Sequence, residues 1–101
     1  MTVEARFTDD NTILVVGIKG KFDFSLLNDF RRAYSDASVD FKNAVIDLRG
    51  ATTIDSSALG MLLNMQRYLK KSDGEIKIIN CNKDILKIFH ISHFNKKFTI
   101  E

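Results

Sequence analysis

Thr53–Gln66 reads TIDSSALGMLLNMQ, and it follows the mostly apolar run Ala44–Leu48 by only a few positions. A short β-like segment thus gives way, through an acid and two hydroxyls, to a long pattern of helical period. Strand, short loop and helix is the repeating unit of an α/β fold, and the polar chemistry lies in the loop. Asp55 stands where an N-cap belongs. Its carboxylate can accept from the free N–H of Ser57 or Ala58, which stabilises such a helix by about 1 kcal/mol. Ser56 is then the first helical residue and Ser57 the second.

On an ideal helix Ser56 shares a line with Gly60, Leu63 and Arg67, at spacings of 4, 7 and 11 residues. The core-seeking stripe runs elsewhere, through Ala58, Met61, Leu62, Met65 and Leu69, with Leu59 and Tyr68 at its edges. Together these residues cover an arc wider than the roughly 100° that one packed face needs. Leu63 is the clearest surplus. Either it forms a small exposed apolar patch beside a serine, as at a protein interface, or a neighbouring helix covers it. Gly60 costs the helix roughly 1 kcal/mol relative to alanine, so it needs a reason. Its bare backbone could admit a partner's side chain, or it could let a strand pack closely.

Outward from this stretch the period alternates. Val3–Thr8 and Thr12–Lys19 read as two strands joined through Asp9-Asp10-Asn11. Ser25 precedes Leu26, Leu27, Phe30, Ala33, Tyr34 and Ala37 at helical spacing, and is the expected cap of a first helix. Asn43–Arg49 suits a strand buried on both faces. The helix from Asp55 to Ser72 is stopped by Asp73-Gly74. Glu75–Cys81 alternates as a strand, Lys83–Ser92 is helical, and Phe98–Glu101 supplies an edge strand. This order predicts an α/β fold in which helices pack on a mixed sheet.

With 101 residues, 45% of them hydrophobic, the chain can bury one modest core, so a single domain over 1–101 is expected. Fifteen basic and 13 acidic side chains give a net charge of +2, and Lys70-Lys71 and Lys96-Lys97 are pairs rather than a stripe. Nucleic acid is therefore not expected as a partner. Cys81 is the only cysteine, so no internal disulfide can form; the N-terminus is polar and acidic, and no run approaches the roughly 20 apolar residues of a membrane span. A cytoplasmic, membrane-free protein is expected.

Catalytic and cofactor chemistry find little support. His90 and His93 form H-x-x-H, which could put two imidazoles on one helical face, yet no further ligand stands at a recognisable spacing, so no metal is expected. No G-x-S-x-G elbow is present, and an aspartate beside a serine disfavours its ionisation. No nucleotide-binding motif occurs either, so neither a catalytic residue nor a cofactor is assigned. A phosphate on Ser56 would fit better. It would add about −1.5 to −2 charges at a helix N-terminus that favours anions, beside Asp55 and on the line that carries Leu63. Binding could then be switched without unfolding.

VIDLRGATTIDSSALGMLL resembles the core motif of STAS domains, in particular the small bacterial anti-sigma-factor antagonists. Their pattern is an apolar strand, a short loop, then D-S-[ST]-G-[LV]-G leading into a helix; it falls here on Asp55, Ser56, Ser57, Ala58, Leu59 and Gly60. GKFDF, Gly20–Phe24, is similar to the family's G-x-[LFV]-D segment, and ILKIFHIS, Ile85–Ser92, to its helix ending in [LI]-F-x-[ILM]-[ST]. Two positions depart from the pattern: Ala58 replaces the usual glycine, and His93 stands where a glycine often follows the third helix.

The resemblance implies a STAS-like mixed β-sheet of four to five strands with three or more helices packed on it. It also implies a non-enzymatic partner switch. The unmodified protein would bind an anti-sigma factor that is a serine kinase of the histidine-kinase-like ATPase type. Phosphorylation of Ser56, or less fittingly Ser57, would release it, and a PP2C-type phosphatase would restore it. The partner surface expected from these positions comprises Asp23, Phe24, Asp55, Ser57, Gly60, Leu63, Asn64 and Arg67, presented by a monomer. The alternatives are a STAS regulator of a non-sigma output, such as an enzyme, biofilm formation or secretion, and a passive scaffold or adaptor.

Overall fold

The computed structural model describes residues 3–8, 10, 12–35, 41–71 and 73–101. Their strands are β1 (Val3–Phe7), β2 (Ile13–Phe22), β3 (Asn43–Ile54), β4 (Ile76–Ile79) and β5 (Thr99–Ile100). The α-helices are α1 (Leu27–Ser35), α2 (Ser56–Lys70) and α3 (Lys83–Ile91), with single 3-10 turns at Phe24–Leu26 and Phe94–Lys96. The strands form one sheet in the order β1-β2-β3-β4-β5. β1 runs antiparallel to β2, and every later neighbour is parallel. This is the mixed α/β sheet that the sequence predicted. Asp9, Asn11, Ala37 and Ser72, which also figured in that reading, lie outside the described residues.

Strands added in sequential order through right-handed crossovers place their helices on one face of the sheet. The burial pattern agrees. Leu14, Val16 and Ile18 of β2, Ala44, Ile46 and Leu48 of β3, and Ile76 and Ile78 of β4 are buried. Their alternates Ile13, Val15, Val45, Asp47 and Ile79 are only half-buried. β3 is therefore not buried on both faces, as its apolar composition suggested. It also runs five residues beyond Arg49, because its pairing with β2 slips between Gly17 and Lys19 and again between Gly20 and Lys21. Each slip inserts one extra residue on β3, as in a bulge. Gly50 is needed at the first, where a Cβ would come within 2.9 Å of the Lys19 side chain and 3.2 Å of the Ile18 carbonyl.

Helix ends differ from expectation in physically clear ways. Asp23, not Ser25, caps the first helical segment, because it is the residue in extended conformation and its carboxylate accepts from the Ser25 N–H. α2 ends at Lys70, and the left-handed residue that stops it is Asp73 (φ 60°) rather than Gly74. The Gly74 N–H reaches back to the Leu69 carbonyl at 2.9 Å and that of Asp73 to Lys70 at 3.1 Å, the paired bonds of a Schellman ending. Gly74 is required for closeness instead, since a Cβ there would lie 1.9 Å from the Lys42 carbonyl oxygen. After α3, His93 takes a left-handed conformation (φ 63°), so the chain keeps a glycine's geometry with a histidine in it.

The core is one cluster between sheet and helices. The stripe expected of α2 is the buried one: Ala58, Met61, Leu62, Met65 and Leu69. Aromatic rings extend it along α1, with centroids 5.3 Å apart for Phe22–Phe30, 5.9 Å for Phe30–Tyr34 and 5.1 Å for Tyr34–Tyr68. Among the described residues no buried side-chain polar atom lacks a hydrogen-bond partner.

Candidate functional site

The double bulge of β3 brings its end level with that of β2, Lys21 beside Thr53 and Phe22 beside Ile54. The residues that follow, Asp23 and Asp55, leave the sheet at the ends of these two neighbouring strands, each one residue beyond the last pair. The carboxyl ends of parallel strands are where open α/β sheets gather functional groups.

Both aspartates make the same local structure. The Asp55 carboxylate accepts from the Ala58 N–H at 3.1 Å and from the Ser57 hydroxyl at 2.5 Å. The Asp23 carboxylate accepts from the Ser25 N–H at 3.0 Å and the Ser25 hydroxyl at 2.5 Å. In each Asp-x-Ser unit the serine is tied back to the acid and the middle residue faces outward. The middle residues are Phe24 and Ser56. Hydrogen bonds from the Ser57 hydroxyl and then the Ala58 N–H hold the Asp55 carboxyl below its usual 3.8, so it is fully ionised at neutral pH.

Ser56 is exposed at the N-terminus of α2, and its hydroxyl has no hydrogen-bond partner among the described residues. Ser57 is half-buried and engaged. One turn along, Gly60 is half-buried, yet a Cβ built on it would meet nothing within 4 Å beyond its own turn of helix. No strand packs against this glycine, so that explanation of it is removed. Leu63 is half-buried and packs on the core, so it is a shoulder of the core rather than a free patch. Asn64 and Arg67 are exposed and joined by a 3.2 Å hydrogen bond.

Ser56, Gly60, Leu63, Asn64 and Arg67 thus lie along α2, while Asp23 and Phe24 follow the end of β2, the strand paired with β3 at Phe22 and Ile54. The largest exposed apolar group here is Phe24, 66% accessible. The sequence pattern placed the surplus on Leu63 because helical period gives a direction but not the neighbour that covers it. Asn82 was not singled out at all. Its side-chain oxygen caps α3 at the Ile85 N–H (2.8 Å), and its amide reaches the Thr52 carbonyl at 3.2 Å, bracing the last stretch of β3. An Asn one residue before a helical run is the signal that could have found it.

His90 lies in α3, but His93 lies beyond its end, so the two imidazoles do not share a helical face. Among the described residues no group of three His, Cys, Asp or Glu side chains could hold a metal ion, and no helix is long and apolar enough to cross a membrane. The lysine pairs lie at the opposite end of α2, where open clefts of about 490 and 410 Å3 meet at Lys70.

Comparison with known proteins agrees with this geometry. The STAS domain family model matches residues 2–101. A STAS-domain containing protein of Pseudomonas aeruginosa (strain UCBPP-PA14) is 39% identical over 100 residues, spanning 99% of each chain. The anti-sigma factor antagonist SpoIIAA in its unphosphorylated form gives a TM-score of 0.75 at 17% identity, over 98% of this chain and 86% of that one. The Bacillus cell fate determinant SpoIIAA in its phosphorylated form gives 0.68 at 16%, over 98% and 90%. At these identities the two solved structures speak for the fold.

Proposed function

The chain belongs to the STAS domain family, and from that premise we propose that it is a non-enzymatic regulator in a partner-switching system. It binds an anti-sigma factor with serine kinase activity, of the histidine-kinase-like ATPase type, while Ser56 is unmodified. Phosphorylation of Ser56 releases it, and a PP2C-type phosphatase resets it, in the cytoplasm. The protein acts as a single STAS unit.

The observation that carries this reading is the contrast between the adjacent serines. Ser57 would have to abandon its bond to the capping carboxylate before reacting, whereas the Ser56 hydroxyl is exposed and uncommitted. A phosphate added there projects from the helix N-terminus, away from the core, where the positive end of the helix dipole lowers its cost. It sets about −1.5 to −2 new charges beside the ionised Asp55, which any apolar contact across Gly60 and Leu63 would have to desolvate. SpoIIAA, which shares the fold, is described in both unphosphorylated and phosphorylated forms, so this architecture carries a phosphate in that protein.

The test is a lysate pull-down with wild type, Ser56→Ala and Ser56→Asp as baits, read by mass spectrometry. The expected result is an ATPase-domain protein retained by Ser56→Ala and lost by Ser56→Asp, together with a partner that identifies the output. Recovery of the same proteins by all three baits would make the chain a passive adaptor. Retention of a different regulated protein, such as an enzyme or secretion component, would assign a non-sigma output.

A further inference from the structure

Resting on that switch reading, we infer that Phe24 is the anchor of the surface Ser56 controls: its ring seats in an apolar pocket of the partner protein, and Ser56 lies under the pocket's edge. Phe24 leaves 66% of its surface in water, while Phe22, two residues earlier, and Phe30, six later, are buried to within 1%. Scattered exposed aliphatics are ordinary, but a phenyl ring beside a candidate switch residue is the kind of group that dominates an interface.

The backbone that carries the ring is also held in place. Asp23 caps the turn through the Ser25 N–H and hydroxyl, and the Leu26 N–H bonds the Asp23 carbonyl at 3.1 Å, so the backbone of Phe24 is fixed before any partner arrives. A preorganised backbone leaves only the side-chain torsions of Phe24 to be ordered on docking. Its position corresponds to that of Ser56: each follows the capping aspartate at the end of one of two neighbouring parallel strands paired at Phe22 and Ile54. Modification of the hydroxyl therefore occurs beside the anchor.

Electrostatics select an apolar pocket over a basic one. The carboxylates of Asp23 and Asp55 already receive N–H and hydroxyl donors from their own turns, so neither requires a partner's cation. The residues that follow them, Ser56 and Phe24, offer a neutral hydroxyl and a hydrocarbon ring. A basic pocket would gain from a phosphate on Ser56, whereas an apolar one loses by having to desolvate it.

The experiment uses, as probe, the purified ATPase-domain protein retained by the Ser56→Ala bait, titrated by calorimetry against wild type, Phe24→Ala, Phe24→Leu and Ser56→Asp, with melting curves for each. Phe24→Ala should weaken binding about thirtyfold or more with an unchanged melting temperature, and Phe24→Leu by less. Wild-type affinity should change less than about threefold as salt screens exposed charges. Wild-type binding by Phe24→Ala, while Ser56→Asp fails to bind, would overturn the anchor and leave the switch standing. Loss on Phe24→Ala with no effect of Ser56→Asp would keep a Phe24 contact but refute its control by Ser56. Affinity that collapses with salt would replace the apolar pocket with a basic one and overturn the inference, and so would the absence of any such protein on the Ser56→Ala bait.

Discussion

Gly60 and Gly74 are both glycines of α2 and its ending, and the structure assigns them opposite signs. A methyl on Gly60 enters open space, so Gly60→Ala should raise stability by about 0.5–1 kcal/mol in urea unfolding while weakening the partner that approaches this backbone. A methyl on Gly74 would collide with the Lys42 carbonyl at 1.9 Å, so Gly74→Ala should lose more than about 2 kcal/mol. If Gly60→Ala destabilised as well, Gly60 would belong to the fold and not to the surface. Asp55 offers a second residue-scale test. Its folded pKa is depressed, first by the Ser57 hydroxyl and then by the Ala58 N–H, so its contribution is fully present above the usual 3.8 and is lost as pH falls through the lower folded value. Asparagine caps a helix as well as aspartate does. The stability advantage of wild type over Asp55→Asn should therefore shrink between neutral pH and pH 3, and melting curves across that range would show a constant difference if the carboxylate made no such bonds.

The elements show what the sequence carried and what it could not. The apolar stripe of α2 was legible because helical period and burial coincide over Ala58, Met61, Leu62, Met65 and Leu69. The far half of β3 was not, because Gly50-Ala51-Thr52-Thr53 reads as loop until the two bulges and the Asn82 brace are seen. Asp23 and Ser25 are both good capping residues two positions apart, and only the register that sends β2 out beside β3 decides between them. In the candidate site, Asp55 as cap and Ser56 as the first helical residue followed from local chemistry, whereas the engaged hydroxyl of Ser57 and the place of Phe24 at the end of a neighbouring strand depended on the folded geometry. At the end of α3 the departure from the family pattern has a measurable consequence. His93 keeps φ at 63°, which disfavours any residue with a Cβ, and its N–H bonds the His90 carbonyl at 3.2 Å. His93→Gly should stabilise the protein by about 0.5–1 kcal/mol and raise its melting temperature by several degrees. A lower melting temperature would mean that the imidazole makes contacts worth more than the backbone strain.

Across the whole molecule the position of the site separates switching from folding. The core lies between the helices and one face of the sheet, and Ser56 and Phe24 stand at the end where parallel strands finish, outside that cluster. A charge placed on Ser56 is buried against nothing, and it meets the favourable end of α2, so the terms that hold the molecule together do not change. Leu63 is different, being half-buried on the core's shoulder, and a carboxylate there must be partly desolvated. Ser56→Asp should accordingly melt within about 0.5 kcal/mol of wild type, and Leu63→Glu should lose about 1–2 kcal/mol, both in urea unfolding. Amide spectra of Ser56→Asp should shift around residues 20–27 and 50–64 while β1, β4 and α3 keep their positions. Shifts spread through those distant elements would mean that a charge at Ser56 repacks the core, and a phosphate would then act by changing the fold's shape rather than by blocking a preformed surface.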